Sequence, residues 1–183
     1  MGVCLSNDRY EEIKWIVVSV FERYGVSCVP VNCFELAIKM GVKVIPYSAF
    51  PISKQCILLK KSEDGFCVEK TEGEWYIYYN DKIDYGRINN TIMHEIGHIV
   101  LDHSEDSELA EKEVKFFAKY ALAPPALIHK LHLNNPKDIA DIFEISFEAA
   151  RYAYCYYIKW LQFGTSNYTD YEIKLLDLFK DIA

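Results

Sequence analysis

The sequence predicts an α+β fold in which a short, mostly antiparallel sheet packs on helices and a helical lobe follows. Three observations carry this. Apolar residues recur at helical spacing in several long segments. Between the early ones lie short apolar runs bounded by Gly, Asp and Glu, the pattern of strands and tight turns. After Pro124-Pro125 only helical periodicity remains, and such a pair stops a helix. With 183 residues the chain suits one structural unit. Its expected divisions are a core over residues 1–123 and a helical C-terminal lobe over 124–183.

Taken in order, residues 10–24 form an amphipathic helix. Ile13, Ile16, Val17, Val20, Phe21 and Tyr24 share one face, and Gly25 supplies a stop. Asn32 followed by Glu35 starts a short helix through Met40, which Gly41 ends. Residues 42–47 read as a buried strand. Residues 56–59, 66–68 and 75–79 read as three more strands, and the short loops between them suggest an antiparallel meander. A helix then begins near 89–91 and runs to about His103. Another spans 107–122. Residues 138–143 and 146–160 read as two helices around a turn. Tyr171, Leu175, Leu178, Phe179 and Ile182 mark a last one.

The net charge of −7 argues against broad binding to a phosphate backbone. No membrane-length apolar run is present, so a cytoplasmic protein is expected. The cysteines Cys4, Cys28, Cys33, Cys56, Cys67 and Cys155 form no C-x-x-C pair. Most sit in apolar runs and read as buried free thiols in a reducing compartment.

The chemistry concentrates in His94-Glu95-Ile96-Gly97-His98, an H-E-x-x-H motif. On a helix, residues four apart lie one turn apart on one face, so both imidazoles can reach one metal ion. Glu95 sits beside them as a base for the attacking water. This is the pattern of a zinc metallopeptidase with a zincin-like fold. One zinc ion is the expected cofactor. A third His at metzincin spacing is absent, since Ser104 stands there. The next helix offers a carboxylate instead. Leu109, Ala110, Glu113, Phe116, Phe117 and Tyr120 share a face on which Glu113 alone is charged. A buried carboxylate needs a compensating charge, and a metal would supply one. Glu113 is therefore expected as the third ligand, while Glu111 is expected to pair with Lys115 on the solvated side. Gly97 costs helix stability and implies a close neighbour there.

These residues resemble the ImmA/IrrE family of metallo-endopeptidases. The likeness runs from Phe34-Glu35-Leu36 into Val44-Ile45-Pro46-Tyr47, then through Ile77-Tyr78-Tyr79-Asn80 and Thr91-Ile92-Met93-His94-Glu95. It continues in Glu111-Lys112-Glu113-Val114-Lys115-Phe116-Phe117-Ala118, Leu122-Ala123-Pro124 and Ile145-Ser146-Phe147-Glu148-Ala149-Ala150. Val114 and Lys115 depart from the family's usual Ala and Asn. The resemblance implies His94, His98 and Glu113 as ligands and Glu95 as the base. It also implies a protein substrate, a helix-turn-helix repressor of a mobile element, phage or stress regulon.

Other expectations are less tightly tied to the motif. Tyr120, Tyr85, His129 and His132 are possible oxyanion donors, and Asp102 is a possible partner behind the ligands. Trp75, Ile77 and Tyr79 mark the strand whose edge would bind an extended substrate. Residues 138–160 have a helix-turn-helix outline. Their reading segment carries one Arg and one Glu, which argues against direct nucleic-acid contact. A catalytically silent protein of the same fold, sequestering the repressor, is the rival reading.

Overall fold

The computed structural model describes residues 4–103, 107–163 and 167–182, so Ser104 lies outside the described residues. Along the chain run α1 (Asn7–Tyr24), α2 (Cys33–Lys39), β1 (Lys43–Pro46), a 3₁₀ turn (Tyr47–Ala49), α3 (Ile52–Lys61), β2 (Gly65–Thr71) and β3 (Glu74–Tyr79). Then follow α4 (Tyr85–Val100), α5 (Glu108–Leu122), α6 (Pro125–Lys130), α7 (Pro136–Phe143), α8 (Phe147–Leu161) and α9 (Asp170–Leu178). The fold is α+β, with helices dominant and a small three-stranded sheet of order β1-β3-β2.

Local chemistry fixes many helix ends. The Ser6 hydroxyl accepts the Arg9 N–H to open α1, and Gly25 closes it at φ 65°. Asn32 caps α2 by accepting the Glu35 N–H. The Asp84, Ser107 and Ser146 side chains do the same for α4, α5 and α8. Each such oxygen satisfies an amide that the first helical turn leaves unpaired.

Two strand expectations need correction. Residues 56–59 lie in α3, not in a strand. Four apolar residues in a row carry no period of their own. Their flanks decide: Pro51 precedes the first turn and Lys60 and Lys61 close the last, both favourable to a helix. The helix lies on the surface, with Leu58 buried and Ile52 and Ile57 exposed. The second correction concerns β3. It is the central strand, not an edge, because β1 pairs with it in parallel and β2 antiparallel. The sheet is therefore mixed. Ile77 is fully buried beneath it. The cysteines are free, as expected, but Cys4, Cys28, Cys56 and Cys155 are exposed and Cys33 is the buried one.

The core gathers around α4. Its Ile92, Met93 and Ile96 share one core with Phe117 of α5, Ile77 of β3 and Val17 of α1, all at or near zero exposure. The C-terminal helices join the same core through Leu127, Phe143, Ala150, Leu175 and Phe179. One contact ties the turn between α7 and α8 to the start of α4. A Cβ on Gly86 would stand 2.8 Å from the Ser146 nitrogen and 3.0 Å from the Ile145 carbonyl carbon. Backbone cannot swing aside as a side-chain end can. Ala would otherwise gain about 1 kcal/mol inside a helix. Gly86→Ala is nevertheless expected to destabilise the protein by about 1–3 kcal/mol, seen as a lowered Tm. An unchanged Tm would mean that the 145–146 turn yields.

Candidate metal centre

Helix α4 is buried along one side and borders a cleft along the other. This sets the positions of the motif residues. His94 and His98 face the cleft with side-chain exposures of 18% and 12%. Their ring centroids are 5.0 Å apart. The cleft measures about 840 Å³ and is bordered by β2, α4 and the first turns of α5.

The carboxylate that meets the two rings is that of Glu111. Its Oε1 lies 3.3 Å from His98 Nε2 and 3.7 Å from His94 Nε2. Its Oε2 lies 3.3 Å from Lys115 Nζ. The ligand atoms of His94, His98 and Glu111 all fall within 4.8 Å of one another. Ligands at about 2.0–2.1 Å from a tetrahedral zinc stand roughly 3.4 Å apart, so the three fit one small cation with little movement. Burial favours the neutral His94 ring and pulls its pKa down, against the opposing pull of Glu111. A neutral imidazole is the ligating form. Burial also opposes ionisation of Glu111, but His94 and Lys115 outweigh it and hold the carboxyl below its usual range.

Glu113 does not join this group. Two residues turn a helix by roughly 200°, which sends Glu113 to the buried side. There Arg9 of α1 grips it with two bonds, Nε to Oε1 at 2.8 Å and Nη2 to Oε2 at 2.6 Å. His103 Nε2 adds a contact to Oε2 at 2.9 Å. The expectation that this carboxylate needs a compensating charge holds. The charge is a guanidinium from 104 residues away in sequence, and no local pattern announces that pairing. The Arg9 bonds hold the Glu113 carboxyl below its usual range; burial opposes them, and His103 adds to the lowering.

A carboxyl lowered in the folded state stabilises fully above its unfolded pKa, and that stability fades as pH falls below about 4.3. Glu113→Gln should therefore melt below the wild type at pH 7 and converge with it toward pH 3, in metal-free protein. An equal Tm gap at both pH values would refute an ionised Glu113.

Glu95 lies at the boundary between core and cleft, 7% exposed. Its Oε2 accepts the Cys67 N–H of β2 at 2.9 Å. The base expected from the motif is thus tied to the strand that borders the cleft. β2 pairs with β3 on one side, and among the described residues no strand pairs with its other side. Phe66, Cys67, Val68 and Glu69 line the cleft. Of the expected edge residues, Trp75 also lines it, whereas Ile77 is buried under the sheet and Tyr79 packs edge-on against Phe34.

The remaining expected residues lie elsewhere. Tyr120 borders a separate cavity of about 200 Å³ between α5 and α8. Asp102 is exposed in the turn after α4, at φ 54°. Tyr85 stands in the first turn of α4, and His129 meets the Tyr157 hydroxyl at 3.1 Å. His103, one residue short of the metzincin position, lines the cleft beside His98. Gly97 behaves as its cost implied. A Cβ there would lie 3.1 Å from Phe117 Cδ1 and 3.3 Å from Val114 Cβ, so its absence lets α5 bring Glu111 close to the histidines.

A helix carrying H-E-x-x-H, a carboxylate from the next helix and a bordering strand define a site of the metallopeptidase class. Residues 39–154 match the Peptidase_M78 family, described as the IrrE N-terminal-like domain. The match covers more than half of the chain, which belongs to this metallopeptidase family. No curated protein sequence matches it. Among the described residues no helix is long and apolar enough to cross a membrane.

Proposed function

We propose that the protein is a zinc-dependent endopeptidase that cuts a protein substrate, a helix-turn-helix repressor of a mobile element, phage or stress regulon. The observation that carries the peptidase reading is the His94, His98 and Glu111 cluster in a cleft bordered by β2, whose outer side pairs with no other described strand. Zinc suits two imidazoles and one carboxylate. The repressor as substrate rests on the family resemblance. A cytoplasmic location would match such a target.

When bound, the cation would polarise the scissile carbonyl and acidify the attacking water. The protein's own part divides among three elements. The outer edge of β2, apart from the Cys67 N–H held by Glu95, receives an extended peptide through backbone hydrogen bonds. The Glu95 carboxylate takes the proton from the water and delivers it to the leaving amine. Its bond to the Cys67 N–H keeps it beside the strand that carries the substrate. His94 and His98, on rigid helix, keep their rings directed into the cleft.

The test is direct. The zinc-loaded protein is incubated with the repressor encoded beside its own gene, with and without chelator. A discrete product that chelator abolishes is the expected result. A stable stoichiometric complex without product would show sequestration instead.

A further inference from the structure

We propose that Arg9 is a positioning residue for the metal centre: by fixing Glu113 it fixes His103, and His103 braces the ring of His98. This rests on the ligand reading of His94, His98 and Glu111. Helix α1 lies before the segment that matches the family, so the brace comes from outside that segment.

The chain of contacts is continuous. Arg9 is itself held, its Nη1 meeting Glu12 Oε2 at 2.7 Å. Beside it Tyr10 packs edge-on against Phe116 of α5, with centroids 4.6 Å apart, which fixes α1 on α5. The planar guanidinium then holds both oxygens of Glu113, whose side chain is 7% exposed. A paired grip of this kind sets orientation as well as charge. Glu113 in turn meets His103, 12% exposed, at the end of the turn that follows α4. His103 is linked to His98 twice. Its backbone N–H donates to the His98 carbonyl at 3.1 Å, and its ring stands edge-on to the His98 ring with centroids 5.5 Å apart. Partners behind a ligand commonly control metal affinity by about 10–100-fold.

The experiment compares zinc affinity, by competition with a chromophoric chelator, and the Tm of metal-free protein. Three proteins are used: wild type, Arg9→Met, and Arg9→Met combined with Glu113→Gln. Arg9→Met should weaken zinc binding about 10–100-fold and lower the metal-free Tm, because a buried carboxylate loses its cation. The double variant removes that stranded charge. Its Tm should recover while its zinc affinity stays low, since nothing orients the side chain that holds His103. Zinc affinity that is unchanged in Arg9→Met, or that recovers together with Tm in the double variant, overturns the inference and leaves the ligand set standing. A wild-type protein that takes up no zinc overturns the ligand set itself, and this inference with it.

Discussion

Glu95→Gln is expected to abolish cleavage while leaving metal binding intact. Gln keeps the size of the side chain, and its carbonyl oxygen can still accept the Cys67 N–H that holds Glu95 in place. It cannot take a proton from water. Positioned acid–base groups contribute roughly 10²–10⁴-fold, so the single-turnover rate on the repressor should drop by at least about 100-fold. Zinc content and affinity should stay close to wild type, because Glu95 is not in the group that meets His94 and His98. The Tm of metal-free protein should change little, since the hydrogen bond from the Cys67 N–H is retained. Full proteolysis by Glu95→Gln would remove the proposed base. Loss of zinc together with activity would instead place Glu95 in the ligand set.

Much of this was legible in the sequence because it rests on short-range rules. His94 and His98 share a face through helix geometry alone, and the cap at Asn32 and the stop at Gly25 are likewise local. Gly97 announced a close neighbour through its cost, and Val114 and Phe117 are that neighbour. What escaped depends on distant parts of the chain. β3 became central because β1 returns to pair with it, and no pattern in residues 75–79 records a partner some thirty positions away. Residues 56–59 lacked a period, and a surface helix resulted. Glu113 was the instructive case. Its charge is neutralised, as a buried carboxylate requires, but by Arg9 in α1. Spacing alone gives His103 no role, since Ser104 stands at the metzincin position. Its place beside His98 arises from the turn at the end of α4, whose positive-φ residue is Asp102.

The same contrast gives the second large prediction. Glu111 and Glu113 stand two residues apart on α5 and face opposite ways, so their isosteric variants should fail differently. Glu111→Gln replaces an oxygen lying 3.3 Å from His98 Nε2 with a neutral and weaker ligand. Zinc affinity should fall by more than the roughly 100-fold that partners behind a ligand control, and cleavage should vanish with it. The fold should hold, because Glu111 lies at the open margin of the cleft and its ion pair with Lys115 is of the exposed kind that contributes about 0–1 kcal/mol. Glu113→Gln should do the reverse. It strips the charge from a carboxylate gripped by Arg9, so Tm at neutral pH should drop, while zinc remains bound with a loss no larger than about 100-fold. A catalytic metal in an open cleft needs a ligand at the boundary of core and solvent, where substrate can reach it. A carboxylate 7% exposed behind the helix serves as an internal anchor instead. If Glu113→Gln lost zinc outright while Glu111→Gln kept it, α5 would have to rotate on metal binding, and the geometry described for the cleft would not be that of the working site.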